Sequence, residues 1–290
     1  MRPGIAHIFA RCSSKLEQGL VDTHRLKLAQ YHICILVISQ EEDSAAYLDN
    51  VLMQQTLLLL PILIPVAFWA AYHYHKDRHL PEPPLNLAIC FILGLGSAGL
   101  SKLMYLGLEP LGLRYDAVAL AADNPLGLLV FALLAIGPIE ELAKMLPFVL
   151  IAMRFKAFDE PLDGIVYASF IALGYAAAEN VHYLEFLTPL EAAARGFASP
   201  VVHMLFASIW AHLITQAWLR GDTLGRPIAM GFCLSALLHG GYDFLVLLNP
   251  VSALPIAAAM IVGIWVWRLI LMRRLHREAV LRSEDGSGPL

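Results

Sequence analysis

Gly137-Pro138-Ile139-Glu140-Glu141-Leu142-Ala143-Lys144 lies within an apolar run, Leu126 to Met153, that is long enough to cross a bilayer. It places three formal charges at a depth where each costs at least about 2.5 kcal/mol unless it is paired or wetted. Glu140 and Lys144 are four residues apart and share a helix face, with the glutamate in the better, N-terminal position. Glu141 points about 100° away from Glu140 and still reaches Lys144 at i+3. Gly137-Pro138 is expected to kink or open the helix and to free carbonyls there. Two readings follow for this stretch, a structural ion pair that locks two helices or a working site, and the rest of the chain decides between them.

The surroundings fix the class. The chain has 290 residues, of which 58% are hydrophobic, and a mean hydropathy of +0.64. A soluble domain of this length does not need so much apolar surface, so the expected fold is all-α, a polytopic membrane helical bundle. The apolar runs do not alternate as barrel strands would. Net charge is −4, which offers no basic footprint for nucleic acid. The four cysteines, Cys12, Cys34, Cys90 and Cys233, form no CxxC pair, so neither a disulfide framework nor a zinc knuckle is spaced here.

Seven spanning runs are expected, near 51–74, 85–106, 126–153, 162–187, 197–220, 226–248 and 253–273. Lys and Arg are richer in the first, third and fifth loops and in the segment after the last span, which puts those loops and the C-terminus in the cytoplasm. That leaves residues 1–52, with Arg2, Arg11, Lys15, Arg25 and Lys27, outside. We read 1–52 as an N-terminal extension that is partly disordered or a misassigned start, with Met53 as the alternative first residue. Residues 53–275 form the transmembrane domain and 276–290 a disordered cytoplasmic tail. The first loop, with Pro81-Glu82-Pro83-Pro84, reads as a solvated cap at the cytoplasmic face. No internal repeat of a transporter kind is visible.

Polar residues recur inside three later spans. Tyr175-Ala176-Ala177-Ala178-Glu179-Asn180 puts Tyr175 and Glu179 on one face beside alanines that admit a close neighbour. Ser199-Pro200-Val201-Val202-His203 places Pro200 in a first helical turn and His203 just inside the membrane. His239-Gly240-Gly241-Tyr242-Asp243 sets His239 and Asp243 on one face, with two glycines clearing room. Counting about 1.5 Å per residue, His203, Glu179, His239 and Glu140 lie roughly 9, 12, 14 and 20 Å from the outer ends of their spans. Four helices that bring ionisable groups to similar depth suggest a wet cavity. His212 reads as a satisfied core histidine, and Trp210, Trp218, Trp265 and Trp267 as packing or belt residues.

The inventory is that of a hydrolase. No Gly-x-Ser-x-Gly elbow, Ser/Lys dyad or HExxH occurs, which argues against serine and conventional zincin mechanisms. Two versions of water activation fit. In one, glutamate is the base and His203 or His239 holds the water, stabilises an oxyanion or protonates a leaving amine. In the other, His203, His239 and Asp243 hold a divalent metal such as zinc, with Glu140 as base. A non-catalytic membrane binding or immunity protein and a proton-coupled transporter are the rival readings.

In order and spacing these motifs resemble the PrsW intramembrane proteases, distant relatives of the prenyl-protein CAAX endopeptidases and bacteriocin-immunity proteins. Glu140-Glu141-Leu142-Ala143-Lys144, Tyr175 to Asn180 (with Tyr where Phe is usual), His203 and His239 to Asp243 carry the resemblance across residues 60 to 250. The resemblance implies a glutamate-dependent endopeptidase of the cell membrane that cuts a membrane-protein substrate, for example a single-span anti-sigma factor, near the extracytoplasmic side. Glu140, Glu141, His203 and His239 are then the expected catalytic residues. Lys144, Tyr175, Glu179, Asn180 and Asp243 support them.

Overall fold

The computed structural model describes residues 59–75, 81–184, 187–248 and 250–284. The expectations for residues 1–52 and for the Met53 start lie outside these. The described chain is helical, without a strand. Helix α1 spans 59–75 and α2 Pro84–Leu108, extended by a short 3-10 turn to Leu111. Two short helices follow, α3 at Ala117–Asp123 and α4 at Pro125–Phe131. Then come α5 at Gly137–Leu150, α6 at Pro161–Tyr183, α7 at Pro189–Leu219, α8 at Gly225–Leu248 and α9 at Pro250–Glu284.

Six stretches among the described residues are long and apolar enough to cross a membrane, including a composite one from Pro125 to Arg154. The first expected run, 51–74, is described only from residue 59, as α1. The protein is a multi-pass membrane helical bundle. Helix α6 is buried on all sides and α7 on most, while α2, α8 and α9 leave broad apolar faces outward, as lipid-facing helices do.

Local chemistry sets the ends. Pro189 starts α7 behind a capping box in which Thr188 Oγ1 accepts from Glu191 N and Glu191 reaches back to Thr188 N. That start lies two turns earlier than the expected 197, so Pro200 is inside the helix rather than in its first turn. It deprives the Gly196 carbonyl of its usual partner. Glu160 and Asp163 cap α6 in the same manner. Helix α9 runs on to Glu284, past residue 276 where the disordered tail was expected to begin, and Arg274 and Glu278 pair across one turn at 2.7 Å. Glu82 is not a solvated cap either. It is 5% exposed and accepts from Tyr167 Oη, which Asn86 also contacts at 3.1 Å.

Two close helix contacts position the interior. A Cβ at Gly94 of α2 would lie 2.0 Å from the Ile171 carbonyl, and one at Gly174 of α6 would lie 2.0 Å from the Phe91 carbonyl, so α2 and α6 touch backbone to backbone. The second contact is reciprocal in the same way. A Cβ at Gly137 would meet Ala236 O at 2.1 Å, and one at Gly240 would meet Ala132 O at 2.2 Å. Gly241, by contrast, faces open space.

Candidate active site

The composite span opens where Gly137-Pro138 predicts it. Residues Ala132–Ile136 form a π turn, and Gly137 N bonds to Ala132 O, five residues back. Pro138 has no N–H to continue the ladder, and the widened turn absorbs the defect. The next turn carries Glu140, Glu141 and Lys144, which are 6%, 0% and 0% exposed. The Gly137/Gly240 contact holds α8 against this turn, which brings His239 beside both glutamates.

Glu141 is saturated. Its Oε1 accepts from Lys144 Nζ at 2.5 Å and from His239 Nδ1 at 2.7 Å. Its Oε2 accepts from Trp210 Nε1 at 2.8 Å and lies 2.9 Å from the Ser235 hydroxyl. Four partners on one carboxylate, none of them reachable from outside, fit an anchoring role and leave no lone pair for a substrate. Trp210 is therefore more than packing, because its indole N–H helps to neutralise a buried anion.

Lys144 also lies 3.1 Å from His203 Nδ1, with its ammonium 4.8 Å from the centre of the Tyr175 ring. An ammonium only donates, so Nδ1 accepts and His203 Nε2–H donates to Glu179 Oε2 at 2.9 Å. Glu179 Oε1 pairs with Arg195 at 3.0 Å, and the Arg195 guanidinium stacks 3.8 Å from the Tyr183 ring centre. Tyr175 packs its ring on His203 at 5.1 Å and meets Ser101 Oγ at 3.0 Å.

The other side of His239 is different. Its Nδ1–H is committed to Glu141, so its Nε2 presents a lone pair. That lone pair faces Glu140 Oε2 and Asp243 Oδ2, each at 3.6 Å. Glu140 Oε2 is buried with no hydrogen-bond partner among the described residues, and Oε1 has only the Tyr105 hydroxyl, at 3.5 Å. Acceptors turned on one another need a proton or a metal ion between them. Glu140, His203 and His239 each offer an atom within 4.8 Å of the others, all three residues buried. One carboxylate and two imidazoles are a donor set of hydrolytic zinc sites. A tetrahedron with bonds of about 2.1 Å has edges of about 3.4 Å, close to the 3.6 Å between Glu140 Oε2 and His239 Nε2, while the three-residue set as a whole spans up to 4.8 Å. The Glu141 carboxylate on His239 Nδ1–H is the outer-shell partner such a ligand uses. The residues therefore fit a divalent metal, with His203 giving up one of its two present partners to join.

Some expected residues stand apart from this network. Neither amide atom of Asn180 has a partner among the described residues, although the side chain is 3% exposed. His212 is not satisfied, since its Nδ1 is buried without one as well. Sequence reasoning overlooked Tyr105, Arg195 and Ser235. Tyr105 and Arg195 sit outside the recurring motifs, and a lone serine in an apolar helix carries no signal. Arg195 alone was visible, as the one basic residue of its loop.

Comparison with known proteins matches residues 82–271 to the model of the PrsW family intramembrane metalloproteases. Among curated proteins, the "Protease PrsW" of Clostridioides difficile (strain 630) is 29% identical over 215 residues, 72% of this chain and 85% of that protein. That of Oceanobacillus iheyensis is 28% identical over 221 residues, 76% of this chain and 96% of that protein. That of Bacillus subtilis (strain 168) is 28% identical over 177 residues, 60% and 76% of the two chains. No solved structure matches.

Proposed function

The chain belongs to the PrsW family of intramembrane metalloproteases and is a multi-pass membrane peptidase; from that premise we propose that it cuts a peptide bond of a membrane-protein substrate near the extracytoplasmic side, at a zinc-type centre held by Glu140, His203 and His239. The observation that carries this reading is the His239 lone pair facing Glu140 Oε2 at 3.6 Å with no donor between them. Bound there, a divalent ion supplies Lewis acidity to water and to the scissile carbonyl.

The chain's own residues do the rest. Asp243 is the most open carboxylate of the set, with 22% of its side chain exposed, and its Oδ2 lies 3.6 Å from His239 Nε2. Glu179, 15% exposed, spends both oxygens on Arg195 and His203, and Glu141 is saturated. Asp243 is therefore the proton acceptor. Water adds its oxygen to the carbonyl carbon, the π pair moves to the carbonyl oxygen, and the water proton passes to Asp243. The C–N bond then breaks, and that proton goes to the departing amine. Tyr105, half-buried beside Glu140, is placed to donate to the carbonyl oxygen as charge develops on it. Lys144 cannot serve, because it is 0% exposed and held by Glu141. An anti-sigma-factor-like single-span protein is a suitable substrate class, since a lone span can unwind locally and present its backbone to the site.

A second reading rests on the same orphaned oxygen, with Glu140 itself as the base and no metal. The two differ in metal content. For proteolysis as such, the test is a comparison of membrane-protein N-termini in cells carrying wild type or Glu140→Gln. New termini next to spans, found with wild type alone, are the expected result. Identical termini in the two strains would overturn the assignment.

A further inference from the structure

A second set of polar side chains is buried between α1, α6, α7 and α9, away from the catalytic cluster. Arg268 of α9 is 5% exposed. Its guanidinium donates to Ser169 Oγ at 2.7 Å and faces His73 Nε2 at 3.5 Å. His73 is fully buried, and Nε2 also lies 3.1 Å from Met204 Sδ. One turn earlier on each helix, Trp69 of α1 meets Trp265 of α9 edge-on at 5.7 Å. The two helices thus face each other along Trp69 and His73 on one side and Trp265 and Arg268 on the other.

No carboxylate pairs with Arg268 among the described residues, and the acidic neighbour that acts on it is the Tyr72 phenol. Three nitrogens of the cluster are also buried without partners, namely Trp69 Nε1, His73 Nδ1 and Arg268 Nε. Indole and guanidinium nitrogens can only donate. A guanidinium opposite His73 Nε2 favours the lone pair there, which leaves the proton on Nδ1. Beyond Ser169 Oγ and His73 Nε2, which take one guanidinium nitrogen, the cluster presents three N–H groups and a positive charge with no acceptor among the described residues. Such an arrangement is strongly disfavoured in a dry interior unless an anion completes it.

We propose that this cluster is an intramembrane anion site that takes a phosphate group, supplied by the headgroup of a phospholipid in the cytoplasmic leaflet. A phosphate offers several acceptor oxygens, and its geometry matches the fork of a guanidinium. The location suits a lipid. Arg268 stands five residues before Arg273, about 7.5 Å along the helix, so the cluster lies just inside the membrane face marked by Arg273, Arg274 and Arg277. The excess of Arg makes that face the cytoplasmic one. Trp265, 36% exposed, flanks the cluster on the lipid side. Occupancy would brace the helices of the active site, because α6 carries both Ser169 and Glu179 and α7 carries Met204 next to His203. The site stands whether or not the peptidase mechanism above does.

Native mass spectrometry of the purified full-length protein in detergent tests this, with phosphatidylglycerol, diacylglycerol of the same tails, or inorganic phosphate added. Wild type should retain phosphatidylglycerol at least tenfold better than diacylglycerol. Arg268→Gln should abolish that preference and Arg268→Lys should keep part of it. Trp69→Phe removes the indole N–H together with part of the packing against Trp265, so its thermal midpoint is read beside its retention, which should weaken about threefold to tenfold. Retention of inorganic phosphate with no preference for phosphatidylglycerol would overturn the lipid source and keep the anion site. Equal retention of the two lipids by wild type, or undiminished retention in both Arg268→Gln and Trp69→Phe, would overturn the proposal.

Discussion

Around Glu141 every acceptor is filled by Lys144, His239, Trp210 and Ser235, and nothing reaches it from outside. Around Glu140, one residue earlier and about 100° around the same helix, the only donor among the described residues is the Tyr105 hydroxyl at 3.5 Å, and one oxygen has no partner among them. The two glutamates share a turn, a helix and a burial depth, so depth does not make the difference. Partners from α7 and α8 converge on one face of the turn and leave the other open. The closed side gives the site rigidity and fixes His239 in one tautomer. The other side keeps unspent lone pairs, available to the proposed cation, water and substrate.

This contrast can be broken by substitution. Glu140→Gln should lower cleavage by about 10³-fold or more, measured on purified protein with a membrane substrate, with a thermal midpoint close to that of chelator-treated wild type. Glu141→Gln should act mainly on the fold. It strips a buried counter-charge from Lys144 and should cost about 3–5 kcal/mol, read as a fall in the thermal midpoint before any activity is assayed. Equal thermal losses from the two changes would erase the distinction between the two sides.

Smaller effects sharpen it. Arg195→Gln loosens Glu179 and, through it, His203, and should cost activity by about tenfold with the fold intact. Gly240→Ala forces a Cβ against the Ala132 carbonyl and should destabilise by about 1–3 kcal/mol, whereas Gly241→Ala, facing open space, should stay within about 0.5 kcal/mol. A large effect at Gly241 would mean that the α5–α8 contact is drawn in the wrong place.

Much of this architecture was legible in the sequence, and the reasons are physical. Spans are visible because lipid demands long apolar runs, and charged residues inside them stand out because their cost there is high. Depth counting hinted that Glu140, Glu179, His203 and His239 meet, although the count for His203 began two turns too late and the packing of α5 to α8 brings them together. The roles of the two adjacent glutamates did not follow, because they depend on which neighbours arrive from α7 and α8. Trp210 and Ser235 look like packing residues until their partner is known. Tyr105 sits on a helix whose other polar residues are unremarkable. The early start of α7 was hidden by Pro200, which reads as a beginning, while the real cap, Thr188 with Glu191, lies two turns upstream. Arg268 reads as part of the basic tail, and only the packing of α1 on α9 makes it a buried charge.

The most direct test is the metal content of the purified protein, measured by elemental mass spectrometry on wild type, Glu140→Gln and Glu141→Gln. The account predicts one equivalent of zinc in wild type and none in Glu140→Gln. Glu141→Gln, where folded, should keep a reduced amount. Wild type that carries no metal and still cleaves its substrate in the presence of a chelator would contradict it, and would make Glu140 the base of a metal-free peptidase.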